Sequence, residues 1–128
     1  MITFKDFQKI EIRVGTILSA EKVENSEKLL KLSIDFGESA PRQVISGIAK
    51  TFSPNGGKEK LVGKQFLFVT NLEPRNIMGL ESQAMILATH KPKKTTLSAS
   101  EAGEEIILTK PTNLILFFLK ISLRLMTH

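Results

Sequence analysis

The strongest constraint on this 128-residue chain is a period-two alternation of apolar and polar side chains. In residues 30–36, four apolar residues alternate with Lys31, Ser33 and Asp35. Only an extended strand sends alternate side chains to opposite faces, so this pattern predicts a half-buried β-strand. Turn-forming residues at 37–41 end it. The same period begins at Ile10, and Gly15 is expected to interrupt that strand as a bulge or barrel corner.

Further β-prone runs predict strands at about residues 42–49, with Gly47 inside, and at 64–72 and 84–89. Helical spacing is confined to the start of the chain, where Phe4, Phe7 and Ile10 recur. Thr3 is the expected N-cap of this short helix, with Asp6 at its N3 position. A second short helix is possible around residues 59–62. Several short strands with one short helix predict an all-β fold, a small barrel.

The last segment has an unusual pattern. Residues 114–119 are continuously apolar, and Ile121, Leu123 and Leu125 then alternate with polar residues. This period favours a strand, which would be hazardous as a free edge and must be covered by the same chain or by another copy. We therefore divide the chain into a barrel domain, residues 1–110, and an apolar C-terminal extension, residues 111–128.

The basic charge suggests a polyanionic partner. The net charge is +5 with a pI near 9.6. The excess lies in residues 51–100, which carry three acidic residues against seven basic ones, namely Lys58, Lys60, Lys64, Arg75, Lys91, Lys93 and Lys94. Composition alone leaves open a basic surface that has no such partner.

Catalytic and metal-binding patterns are missing from the sequence. There is no cysteine, which excludes disulfides and thiolate metal sites. His90 and His128 alone do not make a zinc site. Ser46 lacks the preceding glycine of a nucleophile elbow, and Phe52 stands where a phosphate-binding loop needs glycine. We expect a binding module with no metal or cofactor, not an enzyme. The start lacks a secretory pattern and no apolar run could span a membrane, so we expect a cytoplasmic protein.

Five stretches together resemble one family. They are residues 12–17 (IRVGTI), 27–32 (EKLLKL), 45–48 (ISGI), 71–75 (NLEPR) and 79–85 (GLESQAM). In this order and spacing, over about residues 4–108, they are similar to the tRNA-binding domain. That domain is appended to the C-terminus of many methionyl-tRNA synthetases. It also occurs in the phenylalanyl-tRNA synthetase β-subunit, in endothelial monocyte-activating polypeptide and as free-standing dimeric proteins.

The resemblance implies an OB-fold β-barrel, usually homodimeric, that binds tRNA by shape and backbone charge. It also implies methionyl-tRNA synthetase as a possible partner. Matching positions imply tRNA contacts at Lys28, Arg42, Ser46, Asn71, Arg75, Ser82 and Met85. Lysine and arginine neutralise phosphates, while asparagine and serine can contact unpaired bases or 2′-hydroxyls. The chain has no Trp or Tyr, which favours recognition of folded tRNA over stacking of an extended strand.

Each of these residues also has a plain structural interpretation. Lys28, Arg42 and Arg75 could be loop or strand-end charges. Ser46 and Ser82 could satisfy backbone groups. Asn71 could hold a left-handed turn, and Met85 could fill the core.

The chain departs from the family pattern in two places. Gln83 and Ala84 stand where the family usually has an acidic residue and glycine, so Ala84 would be strained if that position needs a positive φ. The residues after about Pro111 do not resemble the usual polar ending. A dimeric peptide-binding chaperone of the same fold family is the main alternative function, with the apolar tail supplying its surface. A purely structural dimerisation module is a third.

Overall fold

The computed structural model describes residues 1–52, 61–90 and 106–108. These residues form one short helix and nine strands, in keeping with the predicted all-β class. The elements in chain order are α1 (Phe4–Gln8), β1 (Ile12–Lys22), β2 (Leu30–Asp35), β3 (Arg42–Ser46), β4 (Gln65–Val69), β5 (Arg75–Ile77), β6 (Leu80–Ser82), β7 (Met85–Ile86), β8 (Ala88–His90) and β9 (Ile106–Leu108).

Five strands form one antiparallel sheet in the order β3-β2-β1-β4-β7. The long strand β1 lies at its centre and serves two partners. Its first part, Ile12 to Thr16, pairs with β4, and its later part pairs with β2. A register shift between Ile17 and Ser19 bends β1 where the partners change. This bend lets one strand contribute to both sides of a strongly curved sheet.

Backbone and side-chain hydrogen bonds together close the gap between β3 and the β5–β6 hairpin. The backbone N–H of Gln83 donates to the Gln43 carbonyl at 2.8 Å, and Gln43 N–H donates to Gln83 Oε1 at 3.0 Å. The buried Ser82 hydroxyl accepts the N–H of Ile45 at 3.0 Å. The sheet is therefore nearly closed into a barrel without a regular ladder at this seam.

The core is built from the alternation seen in the sequence. Leu30, Leu32 and Ile34 are at most 1% exposed, while the polar residues between them are not buried. Phe66 and Phe68 of β4 are fully buried and belong to the same hydrophobic cluster. The ring of Phe68 meets that of Phe36 edge-on, with centroids 5.2 Å apart, the arrangement that aromatic pairs prefer.

The prediction that Gly15 interrupts its strand is wrong. Gly15 lies within β1, buried and paired with Phe66, and the bulge occurs at Ile17–Ser19 instead. A Cβ at position 15 would lie against the Ile34 side chain and 2.7 Å from Phe36 Cε1. The glycine is needed because two core side chains pack directly onto its backbone.

The short N-terminal helix is confirmed, with Thr3 as its N-cap. Thr3 Oγ1 accepts the N–H of Asp6 at 3.2 Å, and Asp6 accepts the N–H of Thr3 at 3.1 Å. These bonds with Thr3, together with Lys9, lower the pKa of the Asp6 carboxyl.

The β5–β6 hairpin was not predicted. Its two-residue turn, Met78-Gly79, has φ values of 50° and 80°, and the Asn76 side chain accepts the N–H of Gly79 at 2.9 Å. A two-residue turn with both φ values positive has the type I′ pattern, which Asn-Gly adopts more readily than Met-Gly.

Other boundaries also differ from prediction. The third strand ends at Ser46, so Gly47 follows it, and the predicted strand at 84–89 is split into β7 and β8. Leu61 and Val62 are not helical, which leaves no helix in the described part of the 59–62 segment. The C-terminal extension, residues 111–128, lies outside the described residues. In the part of the chain that is described, no helix is long and apolar enough to cross a membrane.

Candidate nucleic-acid interface

A cleft of about 460 Å³ opens beneath the β5–β6 hairpin, between β3 and β7. We call it the hairpin cleft. Most of its walls are aliphatic, formed by Ile45, Ile77, Ala84 and Ile86. Leu72 and Met85 also line it and are 48% exposed, which is unusual for large apolar side chains. This combination of apolar walls and an exposed apolar lip is typical of ligand sites.

Four of the residues that line the hairpin cleft have polar side chains: Ser46, Glu73, Arg75 and Ser82. The Ser82 hydroxyl is engaged internally, since it accepts from Ile45 N and donates to the Ala84 carbonyl at 3.1 Å. The Ser46 hydroxyl bonds to none of the described residues. Glu73 and Arg75 form no ion pair with each other or elsewhere within the described ranges. One hydroxyl, one carboxylate and one guanidinium can therefore meet a ligand.

Four of the seven predicted contact residues come together here, namely Ser46, Arg75, Ser82 and Met85. Lys28 is exposed and lies nearby, because its carbonyl accepts the N–H of Ala49, three residues beyond Ser46. Lys50 follows Ala49 and is also exposed. Arg75, Lys28 and Lys50, which we call the basic rim, thus lie at or beside one end of β3.

Arg42 lies away from the hairpin cleft, in a network of its own. Its Nε donates to Glu38 at 2.9 Å, and its Nη1 donates to the Thr70 carbonyl at 2.7 Å. Arg13 approaches the same Glu38 carboxylate at 2.9 Å, and both guanidinium groups lie within 6 Å of the Phe36 ring, at 5.7 and 5.4 Å. The hydrogen bond from Arg42, aided by Arg13, lowers the pKa of Glu38, and Glu38 in turn raises the pKa of Arg42.

Asn71 is also outside the hairpin cleft and holds two segments together. Its Oδ1 accepts the N–H of Glu11 at 2.8 Å, and its Nδ2 donates to the Lys9 carbonyl at 2.6 Å. Its φ is not positive, so the left-handed alternative is wrong. The bonds of Arg42 to Thr70 and of Asn71 to Lys9 and Glu11 thus anchor the start of the loop that carries Leu72 and Glu73 and leads into β5.

Two other sequence interpretations are corrected. Met85 is exposed at the cleft and does not fill the core. Ala84 is buried with an ordinary φ, so alanine at this position causes no backbone strain. Leu72 and Glu73 were not selected from the sequence, although both belong to the NLEPR stretch. A carboxylate in a basic protein's motif was the signal that could have identified Glu73.

The described residues contain no cluster of three or more side chains that could hold a metal ion. The hairpin cleft combines apolar walls with the Glu73 carboxylate, the Ser46 hydroxyl and the Arg75 guanidinium.

This chain is similar to known proteins in both sequence and fold. The model of a family described as "Putative tRNA binding domain" matches residues 12–112. The methionine–tRNA ligase of Methanocella arvoryzae is 46% identical over 103 residues, covering 80% of this chain and 14% of the ligase. That of Porphyromonas gingivalis is 52% identical over 87 residues, covering 68% and 12%. The chain thus spans only a small part of these curated relatives.

Two solved structures match nearly end to end. A MetRS-related protein from Pyrococcus horikoshii superposes with a TM-score of 0.70 at 31% identity, over 88% of this chain and 90% of that one. The CsaA chaperone protein from Picrophilus torridus gives 0.67 at 28% identity, over 87% and 91%. The structure and this likeness agree with the predicted OB-type barrel.

Proposed function

This chain belongs to the tRNA-binding domain family, and on that premise we propose that it binds tRNA through the hairpin cleft and the basic rim. It is a tRNA-binding domain similar to a segment of methionine–tRNA ligases and to a MetRS-related protein. The observation that carries the proposal is the family match over residues 12–112, which contains every residue that lines the cleft.

The charges support a backbone-directed mode of binding. Lys28, Lys50 and Arg75 are exposed and form no ion pair with a described residue, whereas Arg13 and Arg42 are held by Glu38. Cations already neutralised by a carboxylate contribute little to phosphate binding, so the basic rim is the part of this surface suited to it. We therefore assign phosphate contact to the rim and keep the remaining predicted contact residues as proposals.

A titration with total tRNA at several salt concentrations tests the proposal. If three to five phosphates are neutralised, the logarithm of the association constant should fall with the logarithm of salt at a slope of roughly −3 to −5. A slope near zero, or no binding at low salt, would exclude this mode.

We also propose that the domain is not catalytic and assists aminoacylation by increasing tRNA affinity. It should lower the KM for tRNA of a methionine–tRNA ligase that lacks the matching segment, with little effect on kcat. An unchanged KM would contradict the proposed role in aminoacylation, while the proposal that the domain binds tRNA would stand. We propose that the domain assists aminoacylation in the cytoplasm.

A peptide-binding chaperone is the second candidate, favoured by the likeness to CsaA proteins and by the apolar cleft. The same titration with an unfolded polypeptide discriminates, because a peptide site needs no phosphate contacts and should show little salt dependence. Saturable, salt-insensitive polypeptide binding without tRNA binding would favour this alternative.

We further propose a homodimer, which would double the basic surface presented to one tRNA. Sedimentation of the full chain tests this directly. Whether the tail takes part remains a prediction from its apolar pattern, since residues 111–128 lie outside the described residues. A chain that ends at Lys110 but remains dimeric would exclude tail-mediated contact.

A further inference from the structure

We propose that the hairpin cleft binds one unstacked guanine of the tRNA, with Glu73 reading its Watson–Crick edge and Arg75 contacting its phosphate. This rests on the proposed tRNA-binding function and adds to it the identity of the base.

The size and the walls of the cleft suit a single base. Its volume of about 460 Å³ lies in the usual range for small-ligand sites, about 300 to 1,000 Å³. No aromatic side chain is among the described residues that line it, so a run of stacked bases has no platform here. Leu72 and Met85 instead offer flexible aliphatic surface on which the apolar faces of one base can pack.

The carboxylate of Glu73 narrows the choice of ligand. Ionised carboxylates only accept hydrogen bonds, and this one would repel a phosphate placed in the cleft. The group it binds must therefore carry hydrogen-bond donors, and a nucleotide offers them as base N–H groups or ribose hydroxyls. Guanine has two adjacent donors on its Watson–Crick edge, N1–H and the N2 amino group, which match the two carboxylate oxygens. Adenine and cytosine have one amino donor beside an acceptor, and uracil has one N–H between two carbonyls.

The neighbouring groups complete the nucleotide site. Arg75 is two residues from Glu73 and lines the same cleft, yet it forms no ion pair with Glu73. Its guanidinium is therefore available for the negatively charged phosphate of a nucleotide whose base reaches Glu73. Ser46 adds a hydroxyl from β3 that can bond to the ribose or the base. The cleft thus has an acceptor for the base and a cation for the backbone.

Kethoxal probing of tRNA bound to the full chain tests the inference, because kethoxal reacts with N1 and N2 of unpaired guanines. Wild-type protein should reduce the reactivity of one unpaired guanine at least about fivefold. Glu73→Gln should leave that guanine reactive when its concentration is adjusted to give the same tRNA occupancy. Glu81→Gln is the matched control, since Glu81 is an exposed glutamate on the β5–β6 hairpin and does not line the cleft. It should protect like wild type.

The fraction of tRNA bound, measured in the same samples, distinguishes failure of the guanine site from failure of the tRNA-binding function. If tRNA is bound but no guanine depends on Glu73, the guanine site is wrong and the tRNA-binding function stands. Equal loss of protection in Glu73→Gln and Glu81→Gln would mean a general charge effect and would also overturn the site. If no tRNA is bound at low salt, the proposed function itself fails.

Discussion

The hydroxyl of Ser82 accepts the backbone N–H of Ile45 at 3.0 Å, joining two strands that belong to different sheets. The same hydroxyl donates to the Ala84 carbonyl, and Ser82 is only 7% exposed. Although Ser82 is a predicted tRNA contact that lines the hairpin cleft, its single donor is therefore used within the protein. Its first role is to keep the hairpin against β3, and the shape of the cleft depends on that contact.

Ser82→Ala is expected to destabilise the protein by about 1–3 kcal/mol, because the buried Ile45 N–H loses its acceptor. Ser46→Ala is the matched control, since the Ser46 hydroxyl bonds to no described residue, and it should cost under about 0.5 kcal/mol. Urea unfolding of both variants measures this. Equal stability of the two would mean that Ser82 does not close the barrel.

The two arginines among the predicted contacts should respond in opposite ways. Arg75→Ala should weaken tRNA binding about fivefold or more and leave stability unchanged, because Arg75 is exposed and unpaired within the described residues. Arg42→Ala should lower stability by about 1–2 kcal/mol, since Arg42 bonds to Glu38 and to the Thr70 carbonyl.

Thermal unfolding and tRNA titration of both arginine variants measure these effects. Lys5→Ala serves as a control for loss of one exposed positive charge, because Lys5 does not line the hairpin cleft. If Arg42→Ala stays fully stable yet loses tRNA binding, Arg42 contacts RNA directly and its structural role is minor.

The sequence allowed the strands to be predicted wherever one face is buried, because burial imposes the alternation. Residues 30–36 are the clearest case, and β2 begins at Leu30 as expected. The β5–β6 hairpin was missed because its residues are mostly exposed, so no apolar period marks it. The family pattern identified Ser46, Arg75 and Met85, which line one cleft. It also selected Arg42 and Asn71, whose side chains hold the structure together, and it could not distinguish the two groups. That distinction depends on contacts between residues far apart in sequence, such as Asn71 with Glu11.

Lowering the pH should remove the contribution that the ionised Glu38 carboxylate makes to the stability of the folded protein. Its pKa is lowered from 4.5, chiefly by the hydrogen bond from Arg42, so between the folded pKa and 4.5 the unfolded chain binds more protons than the folded one. The stabilisation is therefore complete above about pH 4.5 and is lost as the pH falls through the folded pKa. Glu38→Gln should lower the urea midpoint at pH 7, and this deficit should shrink as the pH is lowered below 4.5, in low salt.

Glu81→Gln is the control for the acid experiment, because Glu81 forms no ion pair with a described residue. Its urea midpoint should follow that of the wild type at pH 7 and at pH 3. A Glu38→Gln deficit of the same size at pH 7 and pH 3 would show that the ionised carboxylate is not what matters at this position.

Gly15→Ala should destabilise the barrel by about 1–3 kcal/mol through overpacking, since the added methyl group would press on Ile34 and Phe36 in the core. Gly47→Ala is the matched control, because it also replaces a glycine without positive φ, and nothing lies within 4 Å of its added Cβ. It should change stability by less than about 0.5 kcal/mol. Phe36→Leu removes part of the obstructing ring, so it should cost less in the Gly15→Ala background than in the wild type. Strictly additive losses in the double variant would mean that the close approach of Phe36 to Gly15 is not the source of the destabilisation.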